Sequence, residues 1–323
     1  ASRYTAAFVH CKMPYGIKAY AVALVTSKFE LPLFYVPIRH VNRQKKFGVF
    51  TVCICPLRLD YDEGGEFVEM IELNRILGAD HFIVYNYNSS SAINSLLNYY
   101  EEQGLVDVVS WHLPLQMQAN ENSFLSDIHY FGQLAAINDC VFRSKGTSRF
   151  VVNQDIDEFI IPRKHENWLE MIRSFPPRFN SYMFRSTFFR RDWPDVNESY
   201  LLPADAFLAK TYKSFTILKQ TREDEIFRKK IRTKYIVNPT CVKVAGIHEV
   251  FNYTRGILNC KTYITTRSIA LVHHYRYVEE KGDVHKTIDS SIMTYKDKLL
   301  HRLQNVWTKL NSVRNITKRT VKD

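Results

Sequence analysis

The chain has 323 residues, 46% hydrophobic and 14% aromatic, a composition that buries a sizeable core and excludes a disordered polymer. Its apolar runs, such as "AYAVALV" over 19–25, fall far short of the roughly 20 residues that a membrane span requires, so no span is expected within the residues given. Lys and Arg outnumber Asp and Glu by 44 to 33, a net +11; the basic runs "FRKKIRTK" (227–234) and the tail from Lys296 lack interleaved aromatics in a nucleic-acid pattern, which leaves a solvated basic face or a small phosphorylated or acidic ligand.

Residues 1–47 read as a β-rich extension, with "YAVALV" (20–25) and "LPLFYVPI" (31–38) as its strands. From residue 48 strands and helices alternate. "GVFTVCIC" (48–55) is a β-branched apolar run stopped by Pro56, and "EFVEMIELNRIL" (66–77) sets Phe67, Met70, Ile71 and Leu77 on one helical face before Gly78. "HFIVY" (81–85) predicts the second strand, "AINSLLNYYEEQ" (92–103) a helix closed by Gly104, and "LVDVVSW" (105–111) the third strand. A helix over 126–144 follows, with Ser126 as N-cap, and then "RFVVN" (149–153) as the fourth strand.

Such alternation implies a largely parallel sheet with right-handed crossovers and helices on both faces, an open Rossmann-like α/β fold. Further β-like runs, "SYMFRSTFF" (181–189), "TKYIVN" (233–238), "CVKVAGIHEV" (241–250) and "RSIALVHHY" (267–275), make the sheet mixed, and the chain from about 277 is polar and helical. The expected organisation is an extension over 1–47, a catalytic-type domain over 48–280 and a basic helical tail over 281–323.

Six cysteines, at 11, 53, 55, 140, 241 and 260, show no zinc spacing. Cys53 and Cys55 would share one face of a strand, and Cys241 with Cys260, flanking a short segment, are the expected disulfide. Asn88, Asn197, Asn252 and Asn315 open N-x-S/T sequons. Together these point to a secretory-pathway protein.

The chemistry concentrates in "RFVVNQDIDEFIIP" (149–162), where Asp155, Asp157 and Glu158 lie between two apolar runs. In an extended segment Asp155 and Asp157 share a face, and two carboxylates there repel unless a proton or a cation lies between them. Oxygen ligands favour a hard ion, Mg²⁺ or Mn²⁺, which keeps positions open for substrate phosphates. The placement after the fourth strand puts the motif at the carboxyl end of the sheet, where open α/β folds bind ligands.

The runs "EFVEMIELNRILGADHFIVYNYNSS", "GQLAAINDC", "VVNQDIDEFIIP", "KYIVNPTCVKVAGIH" and "HHYR", in that order across roughly 48–280, resemble glycosyltransferase family 92. The resemblance implies a GT-A-type fold, an inverting mechanism, Mn²⁺, and UDP-galactose as donor. It further implies β-1,4 transfer to a glycan, the core fucose of N-glycans in animal members, by a type II Golgi protein whose anchor lies upstream of the residues given.

On the same basis Asp155 and Asp157 match the family's D-x-D and bind the metal and, through it, the diphosphate. A histidine is the further ligand: His274 in "HHYR", which ends a late apolar strand, is favoured over His248 in "GIHEV", and either could instead be a hydrogen-bonded core histidine. Pro56, Leu57 and Arg58, with Asn86 on the next strand, are the expected donor-binding residues. Inversion needs a base, for which Asp192, beside Trp193, and Asp224, in an R-E-D stretch, are the candidates. Some relatives carry a Ser and an acid shortly after the H-Y pair, where this chain has Tyr277, Val278 and Glu279. Two other classes stay open, a non-catalytic glycan-binding protein and an aspartate-nucleophile phosphatase. The latter expects its D-x-D after the first strand and a small hydroxyl residue at the position that Phe159 holds.

Overall fold

The computed structural model describes residues 4–9, 11, 13–38, 40, 46–113, 128–196, 201–278 and 284–320, with side chains from 312 onward excepted. Ser126, Asn197 and Glu279 lie outside these residues, as does the side chain of Asn315.

The N-terminal segment forms only the two-residue strands β1 (Ala21–Val22) and β2 (Val36–Pro37), paired antiparallel. The strands expected there are far longer. Tyr15, Phe29, Leu31 and Leu33 remain exposed, so these apolar runs have no sheet to join and little reason to extend.

The main domain begins at β3 (Gly48–Leu57), then α1 (Gly64–Leu77), β4 (His81–Asn86), α2 (Ser91–Glu102) and β5 (Val106–Ser110). Contrary to the expected stop at Pro56, β3 runs on to Leu57, with a register shift after Ile54. A proline is tolerated where the ladder is already irregular. Gly78 closes α1 at φ 116°, a conformation that favours glycine, and Ser90 caps α2 by accepting from Ile93 N at 3.2 Å.

Helix α3 (Gln133–Ser144) starts seven residues later than the sequence pattern predicts. Ahead of it, His129–Gly132 form a 3₁₀ turn with Tyr130 and Phe131 at positive φ. Ile128 and Phe131, whose spacing supports the expected helix over 126–144, lie instead in an extended residue and in this turn.

Strand β6 (Ser148–Gln154) passes through the acidic segment into β7 (Glu158–Pro162), which belongs to a second sheet. Next come α4 (Trp168–Arg173), β8 (Ser181–Phe184), β9 (Ser186–Arg190), α5 (Pro203–Thr211), α6 (Phe215–Leu218), β10 (Thr221–Glu223) and β11 (Lys234–Val237). The chain ends with β12 (Val242–Ala245), β13 (Val250–Tyr253), β14 (Thr262–Ile264), β15 (Ala270–Arg276), β16 (Lys286–Ile288) and α7 (Lys296–Thr320).

The larger sheet has strand order β14-β8-β11-β6-β3-β4-β5. Its β6, β3, β4 and β5 are parallel, and β11 is antiparallel to β6. The chain moves outward from β3 to β5 and then returns to the other side of β3 as β6, so β3 and β6 enclose the topological switch point, where such sheets bind ligands. The second sheet runs β16-β10-β9-β15-β7.

Strand alternation sorts the core into two layers. Phe50, Val52 and Ile54 join a cluster with α1, α2 and the α7 residues Leu299, Leu300, Leu303 and Val306, while Cys53 faces a second cluster with Ala136, Ile137, Cys140 and Val141 of α3. Helices therefore cover both faces. The C-terminal helix α7, basic over its length, packs by its apolar stripe into the larger of these clusters.

Cys241–Cys260 is a disulfide, as expected from sequence, and a second one, Cys53–Cys140, ties β3 to α3. Cys11 and Cys55 are free, and Asn88 and Asn252 are exposed. The two bridges span sequence separations of 87 and 19 residues. Loop-closure entropy therefore predicts that C53A/C140A loses about 1.3 kcal/mol more stability than C241A/C260A, read from urea unfolding midpoints and slopes.

Candidate active site

A cleft of about 780 Å³ opens at the switch point, lined by Pro56, Leu57 and Arg58 from the end of β3 and by Asp155, Asp157 and Glu158 from the segment between β6 and β7. Gln133 at the start of α3, Arg232 just before β11, His248 between β12 and β13, and His274, Arg276 and Tyr277 from β15 and just beyond complete much of its wall.

The innermost group is Lys234, 1% exposed. Its Nζ lies 2.8 Å from Asp155 Oδ2 and 2.9 Å from Glu158 Oε2, so one buried cation bridges two of the acids. Asp155 Oδ1 accepts from Gln133 Nε2 at 3.1 Å and from the Cys55 thiol at 2.7 Å. Burial first, and then the Asp155 charge, push that thiol well above its usual pKa, so it stays a neutral donor.

Antiparallel pairing of β15 with β7 sets His274 opposite Glu158. Nδ1 of His274 stands 2.9 Å from Glu158 Oε1, and Nε2 stands 3.3 Å from Asp157 Oδ2; these are charge contacts rather than aligned hydrogen bonds. Burial disfavours the imidazolium, but Glu158 and Asp157 outweigh it and raise His274 to about 10. Burial would likewise raise Glu158, yet Lys234 and His274 hold its carboxyl well below the usual range.

His248 differs. Burial and Lys234 lower its pKa, and its Nδ1 sits 3.2 Å from Thr233 O, so it is a neutral ring tied to backbone. Of the two histidines only His274 makes a charge contact with the acidic segment among the described residues.

Arg58 lies against Tyr130 and Phe131, with Cζ 4.7 and 5.6 Å from the ring centroids, which explains the use of the 3₁₀ turn before α3. Asn86 does not line the cleft; it pairs in register with Leu57 and donates to Asn94 Oδ1 at 2.9 Å. Neither Asp192 nor Asp224 lines it. Asp192 is held by Arg190 at 2.9 Å, and that hydrogen bond lowers its pKa, while Asp224 accepts from Thr287 Oγ1 at 2.8 Å at the β10–β16 edge of the second sheet. Glu66 is the cleft carboxylate outside the 155–158 segment among the described residues, paired with Arg191 and with Tyr61 at 3.2 Å. Burial raises its pKa.

Sequence reading missed Lys234, Gln133, Glu66, Arg232 and Arg276. For Lys234 a signal existed: three acids in four residues exceed what one divalent ion balances, and a lysine opening the apolar run "KYIVN" is a ready internal counterion.

Among the described residues no three His, Cys, Asp or Glu side chains gather closely enough to hold a metal as they stand. The pair Asp157 and His274 nonetheless suits one. Two ligand atoms at right angles, each about 2.1 Å from a cation, stand about 3 Å apart, and Glu158 behind Nδ1 leaves Nε2 directed at the cleft.

An open α/β sheet with an acid-rich cleft at the carboxyl ends of its parallel strands is a Rossmann-like architecture, which binds its ligands at that edge. Residues 49–322 match the family model of glycosyltransferase family 92, and the chain belongs to that family. It is 24% identical over 285 residues to the beta-1,4-galactosyltransferase galt-1 of Caenorhabditis elegans, covering 83% of this chain and 60% of galt-1. It is also 28% identical over 140 residues to the glycosyltransferase family 92 protein F13G3.3 of the same organism, covering 43% of this chain and 27% of that protein. The chain thus spans less than two thirds of these relatives' length. Among solved structures, glucosyl-3-phosphoglycerate synthase from Mycobacterium tuberculosis, in complex with Mn²⁺, UDP and glucosyl-3-phosphoglycerate, shares 16% identity over 60% of this chain and 59% of that one, with a TM-score of 0.29.

Removing Lys234 leaves two carboxylates facing each other at the sheet end, one of them fully buried. Lys234→Met is expected to lower stability by about 3–5 kcal/mol, measured by chemical denaturation at pH 7. A loss below about 1 kcal/mol would show that water replaces the amine.

Proposed function

We propose that this chain is a metal-dependent, inverting glycosyltransferase that moves galactose from UDP-galactose to a glycan. The carrying observation is the Asp157–His274 pair on the cleft wall, 3.3 Å apart with Glu158 behind the imidazole. Membership of family 92 and the likeness to galt-1, a beta-1,4-galactosyltransferase by name, support transfer of galactose in a β-1,4 linkage; the core fucose of an N-glycan is the acceptor that we propose with it.

In this reading Asp157 and His274 hold a divalent cation, with Asp155 behind them fixed by Lys234. The imidazole nitrogen favours Mn²⁺ over Mg²⁺. When bound, the cation offsets charge developing on the departing diphosphate. Pro56, Leu57 and Arg58 form the nucleotide's wall, and Asn86 acts through Leu57, its partner in register. The acceptor hydroxyl needs a base. Asp192 and Asp224 were the candidates from sequence, but Glu66 is better placed: it lines the cleft, Arg191 and Tyr61 fix its orientation, and burial raises its proton affinity toward that of a working base.

Two disulfides support passage through an oxidising compartment, and a Golgi location with a membrane anchor upstream fits that chemistry. No helix among the described residues is long and apolar enough to cross a membrane. The D-x-D follows the fourth strand in chain order of the larger sheet's parallel part, which disfavours the phosphatase alternative.

The test is UDP release with Mn²⁺ and a panel of UDP-sugars, with and without fucosylated N-glycans; release from UDP-galactose alone is expected, and no release from any sugar would leave a glycan-binding protein. Asp157→Ala is expected to lose more than about 100-fold in activity, and its UDP affinity in Mn²⁺ should fall to the wild-type value in EDTA, by calorimetry. Glu66→Gln is expected to lower kcat by about 10²–10⁴ while the donor KM stays within a few-fold. An unchanged kcat would place the base elsewhere.

A further inference from the structure

The carboxylates of the cleft all have cationic partners, but three of its guanidinium groups do not. Asp155 and Glu158 share Lys234, Asp157 faces His274, and Glu66 pairs with Arg191. Arg58, Arg232 and Arg276 line the same space and make no ion pair among the described residues; the Glu223 carboxylate feels the Arg276 charge only at a distance. Cations left unpaired in a cleft form a standing field for an anion.

Arg232 and Arg276 are built as a pair. Both guanidinium carbons lie 5.1 Å from the centroid of the Phe188 ring, and Arg232 is also 5.5 Å from that of Phe227. The same Phe188 ring meets His274 edge-on at 5.1 Å. One aromatic ring thus spaces two arginines and the histidine of the acidic segment around a common centre.

The platform is held from below. Arg185 donates to Phe227 O at 2.8 Å and Ile226 O at 2.7 Å, Phe227 N donates to Ser186 O at 2.9 Å, and Thr187 Oγ1 donates to Glu225 O at 2.7 Å. These bonds bind the loop after β10 along β9. Arg232 itself has φ 51°, a left-handed conformation that an arginine adopts only when its surroundings impose it.

We propose that Arg232 and Arg276 form a clamp for a diphosphate-class anion, closing on the donor's phosphates from the side opposite Arg58. The assignment to the donor rests on the reading of the protein as a UDP-sugar enzyme; the anion clamp itself does not. Guanidinium forks match phosphate oxygens two at a time, and stacking on Phe188 pre-orders them for that contact. Because these arginines would touch the leaving group, they would act with whatever neutralises it and not merely shape the cleft.

The experiment is calorimetric binding of inorganic pyrophosphate, UDP and uridine to the whole chain in EDTA, for wild type, Arg232→Gln, Arg276→Gln, the double variant and Arg276→Lys. The clamp predicts that each Gln substitution weakens pyrophosphate and UDP about tenfold or more, with uridine within twofold and thermal midpoints unchanged. Arg276→Lys should recover part of the loss. Pyrophosphate and UDP binding that survives the double substitution overturns the proposal, as does an equal loss for uridine, which would mean a collapsed wall. If the donor affinities hold and only the acceptor KM rises, the anion belongs to the acceptor and the diphosphate clamp is wrong. Arginine-dependent pyrophosphate binding in a wild-type chain that ignores UDP in Mn²⁺ as well as in EDTA would uphold the clamp and sink the UDP-sugar reading instead.

Discussion

A single buried ammonium group makes the site possible. Lys234 is fully enclosed, and its contacts with Asp155 and Glu158 compensate charges that the sheet end could not otherwise hold. Through Glu158 the same balance reaches His274, and through His274 it reaches Asp157, so five side chains from three strands and one connection form a continuous alternation of charge. Each member fixes the next. Asp155, with both oxygens engaged, is the inner anchor of the chain, and Asp157 is the end that remains available to the cleft.

The two sheets meet at this alternation. Strand β6 carries the chain to Asp155 in the larger sheet, and three residues later β7 begins the smaller one. Backbone bonds from Glu158 N to Asp155 O at 3.2 Å and from Tyr275 N to Asp157 O at 2.9 Å hold the turn between them. His274 can face the acids because β15 pairs antiparallel with β7, and Phe188 lies beside it because β15 pairs parallel with β9. The site is therefore a product of register: a slip of one residue would turn His274 out and His273 in. His273 instead stacks on Phe189 in the buried layer, where burial lowers it to about 3.

Much of this was legible in the residues. The 2-residue and 3.6-residue periods located β3, β4, β5 and β6 and the helices between them, because each half-buried element must repeat its apolar face. The acidic segment announced itself by the cost of three carboxylates between apolar runs. The excess of acids called for an internal cation but did not show where it would join them, since Lys234 lies 76 residues beyond Glu158 and the antiparallel pairing of β11 with β6 brings it there. The Cys53–Cys140 bridge was hidden for the same reason, depending on how α3 crosses β3. The start of α3 was misread because Ile128 and Phe131 keep helical spacing in a segment that turns through positive φ. Asp192 looked eligible as a base beside Trp193, and Asp224 in its R-E-D stretch, but sequence does not show that Arg190 and Thr287 hold them outside the cleft lining.

The distribution of charge around the cleft follows from what each group can do without a ligand. A buried carboxylate cannot wait for a partner, so every cleft acid among the described residues is paired within the fold, and the charges of Glu158 and Asp157 outweigh the burial penalty on the His274 ring. An arginine can wait, because its guanidinium is weakly hydrated and settles on an aromatic face at little cost. Arg58 on Tyr130, and Arg232 and Arg276 on Phe188, are in that state. Polar capacity left over after folding is thus almost wholly cationic on the walls, while the anionic groups are spent on holding the floor in place. A cleft so arranged leaves room for an anion against the arginines and for a cation beside Asp157, the two demands that the proposed sugar-diphosphate donor makes.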